Sequence, residues 1–466
     1  MHERGSTLKS VSSTPTSAAR PARRSLATLV AMVAVLAACS DSPVAPGKSV
    51  EPPRASVGSA TPASSLGNLI QLLKDVNTIA LGKSIFEDQN LSIRKNQSCA
   101  SCHDESYGWS APIASVQAGG GVMPGSIPGR FATRRPPTVS YATPSPLLHY
   151  DAGEDTWEGG NFFDGRATGQ LLGMPSADQA LNPFIGPGEM ALPDAACVVY
   201  RVSVARYGIL YRLVWGRTID GIKFPRNTDA LCAQEGTTIP LSTPDRAAAM
   251  AEYNHVALSI AGFEDSRLVN QFTSKYDWYL RGLARLTSQE RQGLALFNGK
   301  AGCNGCHLSD GNQPLFTDYT FDNIGVPANP QNPNLAVNPS FRDEGLGAFL
   351  ETGAMGSVDW QSRLGAQKVP TLRNIDKRPT PGAPKSFMHN GSLKSLDEVV
   401  HFYNTRDVLP PCAAPSSPGR AVTCWPVPEV LENVNRDELG NLGLTPKEEA
   451  ALVAFLRTLT DGYFRN

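Results

Sequence analysis

Two short segments of this chain carry side chains grouped for chemistry: Cys99-Ala-Ser-Cys102-His103 and Cys303-Asn-Gly-Cys306-His307. Each is a C-x-x-C-H sequence, the attachment signature of c-type haem. Two thiols a helical turn apart reach the two vinyl groups of one porphyrin. The imidazole that follows takes the position beneath the iron. A redox C-x-x-C or a zinc site would draw on the same residue types. A structural zinc, however, wants four ligands at close spacing, and the two pairs lie about two hundred residues apart. The reading is two covalently bound c-type haems, one on Cys99, Cys102 and His103 and one on Cys303, Cys306 and His307.

Such motifs need helices to position them. Ahead of the first, Leu69, Leu72, Leu73, Val76 and Ile79 recur near helical spacing. Ahead of the second, Thr287 and Glu290 form a capping box, and Ser395 with Glu398 forms another farther on. Thr445 and Glu448 make a third, with Pro446 at the first helical position. The helix it opens carries Leu452, Phe455, Leu456 and Leu459 on one face. Helix, haem motif, irregular middle and closing helix make one cytochrome c-like domain. The expected fold is therefore mainly α, with two cytochrome c-like haem domains and long loops, at residues 66–285 and 286–466.

The bulk properties agree with a globular chain. Of 466 residues, 41% are hydrophobic and 18% charged, and the formal net charge is −1. These values exclude collagen, a coiled coil, a polytopic membrane protein and a wholly disordered chain, and they leave no electrostatic footprint for nucleic acid.

The N-terminal stretch reads as an export signal. Arg20, Arg23 and Arg24 precede an uncharged apolar run from Leu26 to Ala38, shorter than the ~20 residues a membrane-spanning helix needs. The run ends in Leu36-Ala37-Ala38-Cys39, which resembles a bacterial lipobox, with Cys39 as the lipid-anchored first residue after cleavage of residues 1–38. An ordinary cleavage site is the alternative. Residues 39–65 are rich in Ser, Pro and Ala and cannot offset their ordering entropy by burial, so a flexible tether is expected there. The expected location is the periplasmic side of a bacterial membrane, lipid-anchored or soluble in the periplasm.

Four further cysteines remain: Cys197, Cys232, Cys412 and Cys424. In an oxidising compartment they read as two disulfides, and local pairing gives Cys197–Cys232 and Cys412–Cys424. Each bridge is expected to close a long polar loop. Two other connectivities, and free buried thiols, stay open.

Beyond the haem motifs, an ordered set of segments runs from about residue 80 to the C-terminus: LGKSIFED…SCASCHD, RRPPTV, FFDGRA, DQALNPFIGPGEM, GLALFNGKAGCNGCH, KVPTLRN, FMHNGSLKSLDEVVHFYN and LVAFLRTL. In this order they resemble the bacterial di-haem cytochrome c peroxidase and MauG family. The resemblance implies an oxidoreductase that reduces hydrogen peroxide to water at its N-terminal haem. The C-terminal haem would relay electrons from a small cytochrome c or cupredoxin. A MauG-like oxidase of a protein or small substrate is one alternative, and a non-catalytic di-haem electron carrier is another.

The resemblance also assigns residues. Glu189 matches the family's distal acid–base glutamate and Gln179 its distal glutamine; by themselves they would read as a solvated loop acid and a helix-surface residue. Between Asp104 and Pro137 no histidine occurs, where classical members place a second one over the first haem. An open first haem that needs no reductive activation is expected, with His149 as a candidate that could swing in. Tyr403 matches the sixth ligand of the second haem in the MauG branch, with Met388 or Met355 as alternatives. His389 is expected to make structural or haem-propionate contacts. Phe163 stands where the family has an inter-haem tryptophan, and Trp157 is a candidate substitute. The family leaves room for one calcium ion between its domains, although Arg135 replaces an expected ligand asparagine.

Overall fold

The computed structural model describes residues 62–412 and 422–464, with side chains of the first helix from residue 74 onward. The signal segment, Cys39 and the tether up to residue 61 lie outside the described residues. Residues 61–466 form one compact unit. Its first helix, α1, spans Pro62–Phe86. It therefore starts at Pro62 instead of near Leu66, because a proline is pre-organised for a helix's first position.

The other principal helices are α2 (Pro175–Ile185), α3 (Ala195–Val204), α4 (Gly208–Trp215), α5 (Thr243–Glu264), α6 (Lys275–Leu280), α7 (Ser288–Phe297), α8 (Leu396–Thr405) and α9 (Pro446–Arg457). The three capping boxes close as hydrogen-bonded pairs at the starts of α7, α8 and α9. Among the described residues the sheets are two antiparallel pairs. One joins β1 (His149–Asp151) to β2 (Thr156–Glu158), the other β3 (Phe321–Asp322) to β4 (Gln367–Lys368). The fold is thus mainly α. No helix among the described residues is long and apolar enough to cross a membrane.

Two main cores form in chain order. The first runs from Leu81 to Val269 and the second from Tyr276 to Leu459. Each rests on the same crossing: α1 packs on α5, and α7 packs on α9. Both crossings are close at a glycine. A Cβ at Gly82 would overlap the Ser259 carbonyl, and one at Gly293 the Ala451 carbonyl. A third, small cluster joins Leu148 and Trp157 to Leu346, Leu350 and Ala366, bridging the two halves.

The segment between Cys197 and Cys232 is not the long polar loop expected. It holds α3, α4 and two single turns, Thr218–Gly221 and Thr228–Leu231. The reason is an apolar face: Cys197, Val198, Val199 and Val202 are all buried, and the Asp194 carboxylate caps α3 by accepting from Ala196 N at 2.9 Å. Cys197 is bonded to Cys232 with their Cα atoms 5.6 Å apart. Cys412 is bonded to Cys424 with Cα atoms 5.0 Å apart.

Candidate active site

In both halves the C-x-x-C-H segment begins as a single tight turn, Cys99–Ser101 and Cys303–Gly305. Behind each lies an aromatic residue in the left-handed backbone region, Trp109 at φ 59° and Phe316 at φ 55°. Their carbonyls take the ring proton of the adjacent histidine. His103 Nδ1 donates to Trp109 O at 3.0 Å, and His307 Nδ1 donates to Phe316 O at 2.9 Å. A bulky residue held at positive φ costs about 1–3 kcal/mol and persists where the surroundings over-determine it. Here the packing does so twice: Trp109 against Phe86 and Phe263, Phe316 against Phe297 and Phe455. With the ring proton on Nδ1, the lone pair of Nε2 is the one available to a metal. Burial lowers the pKa of both rings, which keeps them neutral as a metal ligand requires.

Each histidine opens on its own cavity. The first has a volume of about 290 Å³ and is lined by Cys99, Cys102 and His103; the second, about 450 Å³, by Cys303, Cys306 and His307. None of these four cysteines takes part in a disulfide. Burial pushes the Cys102 and Cys306 thiols up to about 12. Two cysteines and one histidine on the wall of a roomy pocket fit a covalently held haem in each half.

The first cavity holds a carboxylate on the expected residue. α2 ends at Gly186, and the following turn is pinned by Ser126 N donating to Glu189 O at 2.7 Å and Ile93 N donating to Met190 O at 2.8 Å. A Cβ at Gly186 would stand 2.7 Å from Glu189 Oε2, so a side chain there would push the carboxylate aside. Glu189 lines the cavity, and among the described residues its carboxylate has no hydrogen-bond partner. Burial raises its pKa, and the charge of Arg166 moderates the rise. Gln179, Asn182 and Pro183 line the same cavity from one face of α2.

A second carboxyl was not foreseen. Glu264, at the end of α5, also lines the first cavity, and burial pushes it up to about 8. Its only sequence signal is a helical position four residues after the buried Ile260. His103 is the one histidine among the residues lining this cavity. His149 sits in the exposed strand β1, with Nδ1 bonded to Leu147 O at 3.0 Å.

In the second cavity Tyr403 projects from α8 on the same face as Leu396, Val399 and Val400. Its hydroxyl has no partner among the described residues, and burial holds it well above the ordinary phenol range. Met388 lines the same cavity, whereas Met355 packs on the third cluster. His401 bonds Glu449 Oε1 at 2.9 Å, away from the cavity. His389 lines the second cavity with Nε2 3.3 Å from Glu429 Oε2. Trp157 lines neither cavity; it is buried in β2 against Tyr150.

Two residues line both cavities: Arg135 and Phe163. Beside them Arg134 joins Asp164 to Asp343, with N–O distances of 2.5 to 2.6 Å, so a first-half guanidinium is held by a second-half carboxylate. Among the described residues no group of three or more His, Cys, Asp and Glu side chains is placed to hold a metal ion.

The sequence profile described as di-haem cytochrome c peroxidase matches residues 76–285. The methylamine utilization protein MauG of Paracoccus denitrificans is 31% identical over 392 residues, covering 82% of this chain and 88% of that protein. The cytochrome-c peroxidase IdrP1 of Denitromonas iodatirespirans is 27% identical, covering 82% and 81%. Among solved structures, the di-haem peroxidase BthA from Burkholderia thailandensis superposes with a TM-score of 0.63 at 27% identity, covering 82% of this chain and 86% of that one. By sequence, by fold and by its paired cavities, this chain belongs to the di-haem cytochrome c peroxidase and MauG family, as an oxidoreductase with two c-type haems.

Proposed function

We propose that the protein reduces hydrogen peroxide to water at the first cavity, with electrons delivered through the second from a small cytochrome c or cupredoxin. Each haem, when bound, supplies an iron that exchanges single electrons. The residues of this chain do the rest. Reduction of one peroxide to two waters takes two electrons and two protons. Glu189 takes the proton from the near oxygen and delivers it to the departing one, which leaves as water. The Gln179 amide, on the wall of the same cavity, would donate a hydrogen bond to the peroxide. The observation that carries this reading is the Glu189 carboxylate, half-buried on the wall of the first cavity without a hydrogen-bond partner among the described residues and with raised proton affinity. That no second histidine lines this cavity supports reaction with peroxide without prior reductive activation.

A second reading is a MauG-like oxidase of a protein or small substrate. It is favoured by Tyr403 in the second cavity and by the 31% identity to a protein named MauG. Export to the periplasm and lipid attachment at Cys39 belong to the proposal on the sequence of residues 20–39. The test is to add stoichiometric peroxide to the diferric protein and follow its absorption, then repeat with Glu189→Gln. A rapid change that the variant slows is expected. No change in the wild type would mean an electron carrier. Turnover with a reduced small cytochrome then separates peroxidase from oxidase.

A further inference from the structure

Arg135 stands in the wall common to both cavities. It is fastened to each half of the chain. Its Nε donates to Met388 O at 3.0 Å, its Nη1 to Ser110 Oγ at 3.0 Å, and its backbone N–H to His389 O at 2.7 Å. Among the described residues Nη2 has no acceptor, and no carboxylate lies within ion-pair distance. The contrast with its neighbour is sharp: Arg134 is held by Asp164 and Asp343.

Two lysines share this part of the interior, each bonded to backbone carbonyls. Lys385 is 4% exposed, and its Nζ donates to the carbonyls of Tyr107, Asn374 and Lys377 at 3.2, 3.2 and 2.8 Å. The Lys394 Nζ donates to the carbonyls of Gly119 and Gly391. Burial, and then the charge of Arg135, push Lys385 well down. Burial and Arg135 also lower Lys394, against the pull of Glu398. A half-buried guanidinium whose hydrogen-bond partners are all neutral is costly unless an anion completes it. The family's cofactor brings one: each haem carries two propionate carboxylates. A planar guanidinium with a free edge matches a carboxylate in charge and geometry.

We propose that Arg135 is an anion seat shared by the two haem sites. It receives propionate carboxylate on its free edge and, through its charge, raises the reduction potential of both irons together. The inference rests on haem occupancy of both cavities and not on the peroxide chemistry. Arg135 acts as a positioning and electrostatic residue, since its charge stabilises the reduced, less positive state of either iron.

The test is a spectroelectrochemical titration of the purified two-haem protein without peroxide, with haem content measured as the pyridine haemochrome. Arg135→Gln is expected to retain two haems and to lower both midpoint potentials. At a fixed potential the ferrous-to-ferric ratio should fall about tenfold at each, equivalent to 59 mV for a one-electron couple. Unchanged potentials, or a shift confined to one haem, would overturn the proposal. Arg135→His serves if the glutamine variant does not retain its haems. Both of its potentials should rise together as the pH is lowered and the imidazole charges, in excess of the wild-type pH dependence. No such excess would overturn the proposal as well.

Discussion

The ring of Phe163 meets that of His389 edge-on, with centroids 6.3 Å apart and planes at 67°. Phe163 comes from the first half of the chain and His389 from the second, and both line the second cavity. Since Phe163 also lines the first, the one aromatic residue in the wall common to both cavities is a ring that is hard to oxidise and has no N–H. Phe163 is therefore expected to space the two sites without itself accepting an oxidising equivalent. Phe163→Trp is expected to speed electron exchange between the haems by about tenfold, a barrier lowered by ~1.4 kcal/mol. Stopped-flow absorbance at two wavelengths, one for each haem, would read it. Equal rates in the two proteins would leave Phe163 a packing residue only.

Glu189 sets the pH dependence of the peroxide reaction. Burial lifts its carboxyl above the ordinary value, with Arg166 opposing. Only the ionised form can take the peroxide proton. The second-order rate should therefore climb with pH through a midpoint above 4.5 and then level off. In Glu189→Gln that limb should vanish and the plateau rate fall by about 10²–10⁴. The stability effect has the opposite sign. A carboxyl raised in the folded state weakens folding as the pH rises past its unfolded value, so Glu189→Gln should melt at or above the wild-type temperature at neutral pH. A variant that keeps the pH limb would remove Glu189 from the proton path.

What was legible in the sequence was local. The two C-x-x-C-H segments, the capping boxes at Thr287, Ser395 and Thr445, and the disulfide pairs each lie within a few dozen residues of chain. Their chemistry follows from residue type and spacing alone. The shared wall was not legible in this way. Arg135 takes its partners from Ser110, Met388 and His389, and no pattern near residue 135 announces them. Glu264 was hidden for a related reason: a carboxylate at the end of a long helix reads as solvated until α1 and the haem motif are folded against it. The helices between Cys197 and Cys232 were obscured by short length and by polar connections, although Val198, Val199 and Val202 carry the burial.

Tyr403 and Met388 both line the second cavity, and the choice between them is spectroscopic. An anionic phenolate lowers the potential of its iron, whereas a thioether raises it. Tyr403→Phe is expected to shift the visible spectrum of one haem only and to raise that haem's midpoint potential. Tyr403→Met should raise it further. An unchanged spectrum in Tyr403→Phe would pass the ligand role to Met388. Because Arg135 is predicted to move both potentials and Tyr403 only one, the two effects are separable in a single titration.

The glycine crossings predict a stability pattern that does not depend on haem chemistry. Gly82 lets α1 approach α5 until its Cα rests on the Ser259 carbonyl, and Gly293 does the same for α7 on Ala451 of α9. A methyl group at either place meets backbone, which cannot rotate aside, so the helices must separate and the packing of Phe86 or Phe297 opens with them. Gly82→Ala and Gly293→Ala should each cost about 1–3 kcal/mol, the usual penalty for overpacking, despite the better helix propensity of alanine. Gly382→Ala is the control, since a Cβ there meets nothing within 4 Å and the change should be neutral or slightly stabilising. Thermal melts of the three variants read the pattern directly. Crossing variants that melt with the control would mean that the helices have room to move apart, and that the haems, not the glycine contacts, set their separation.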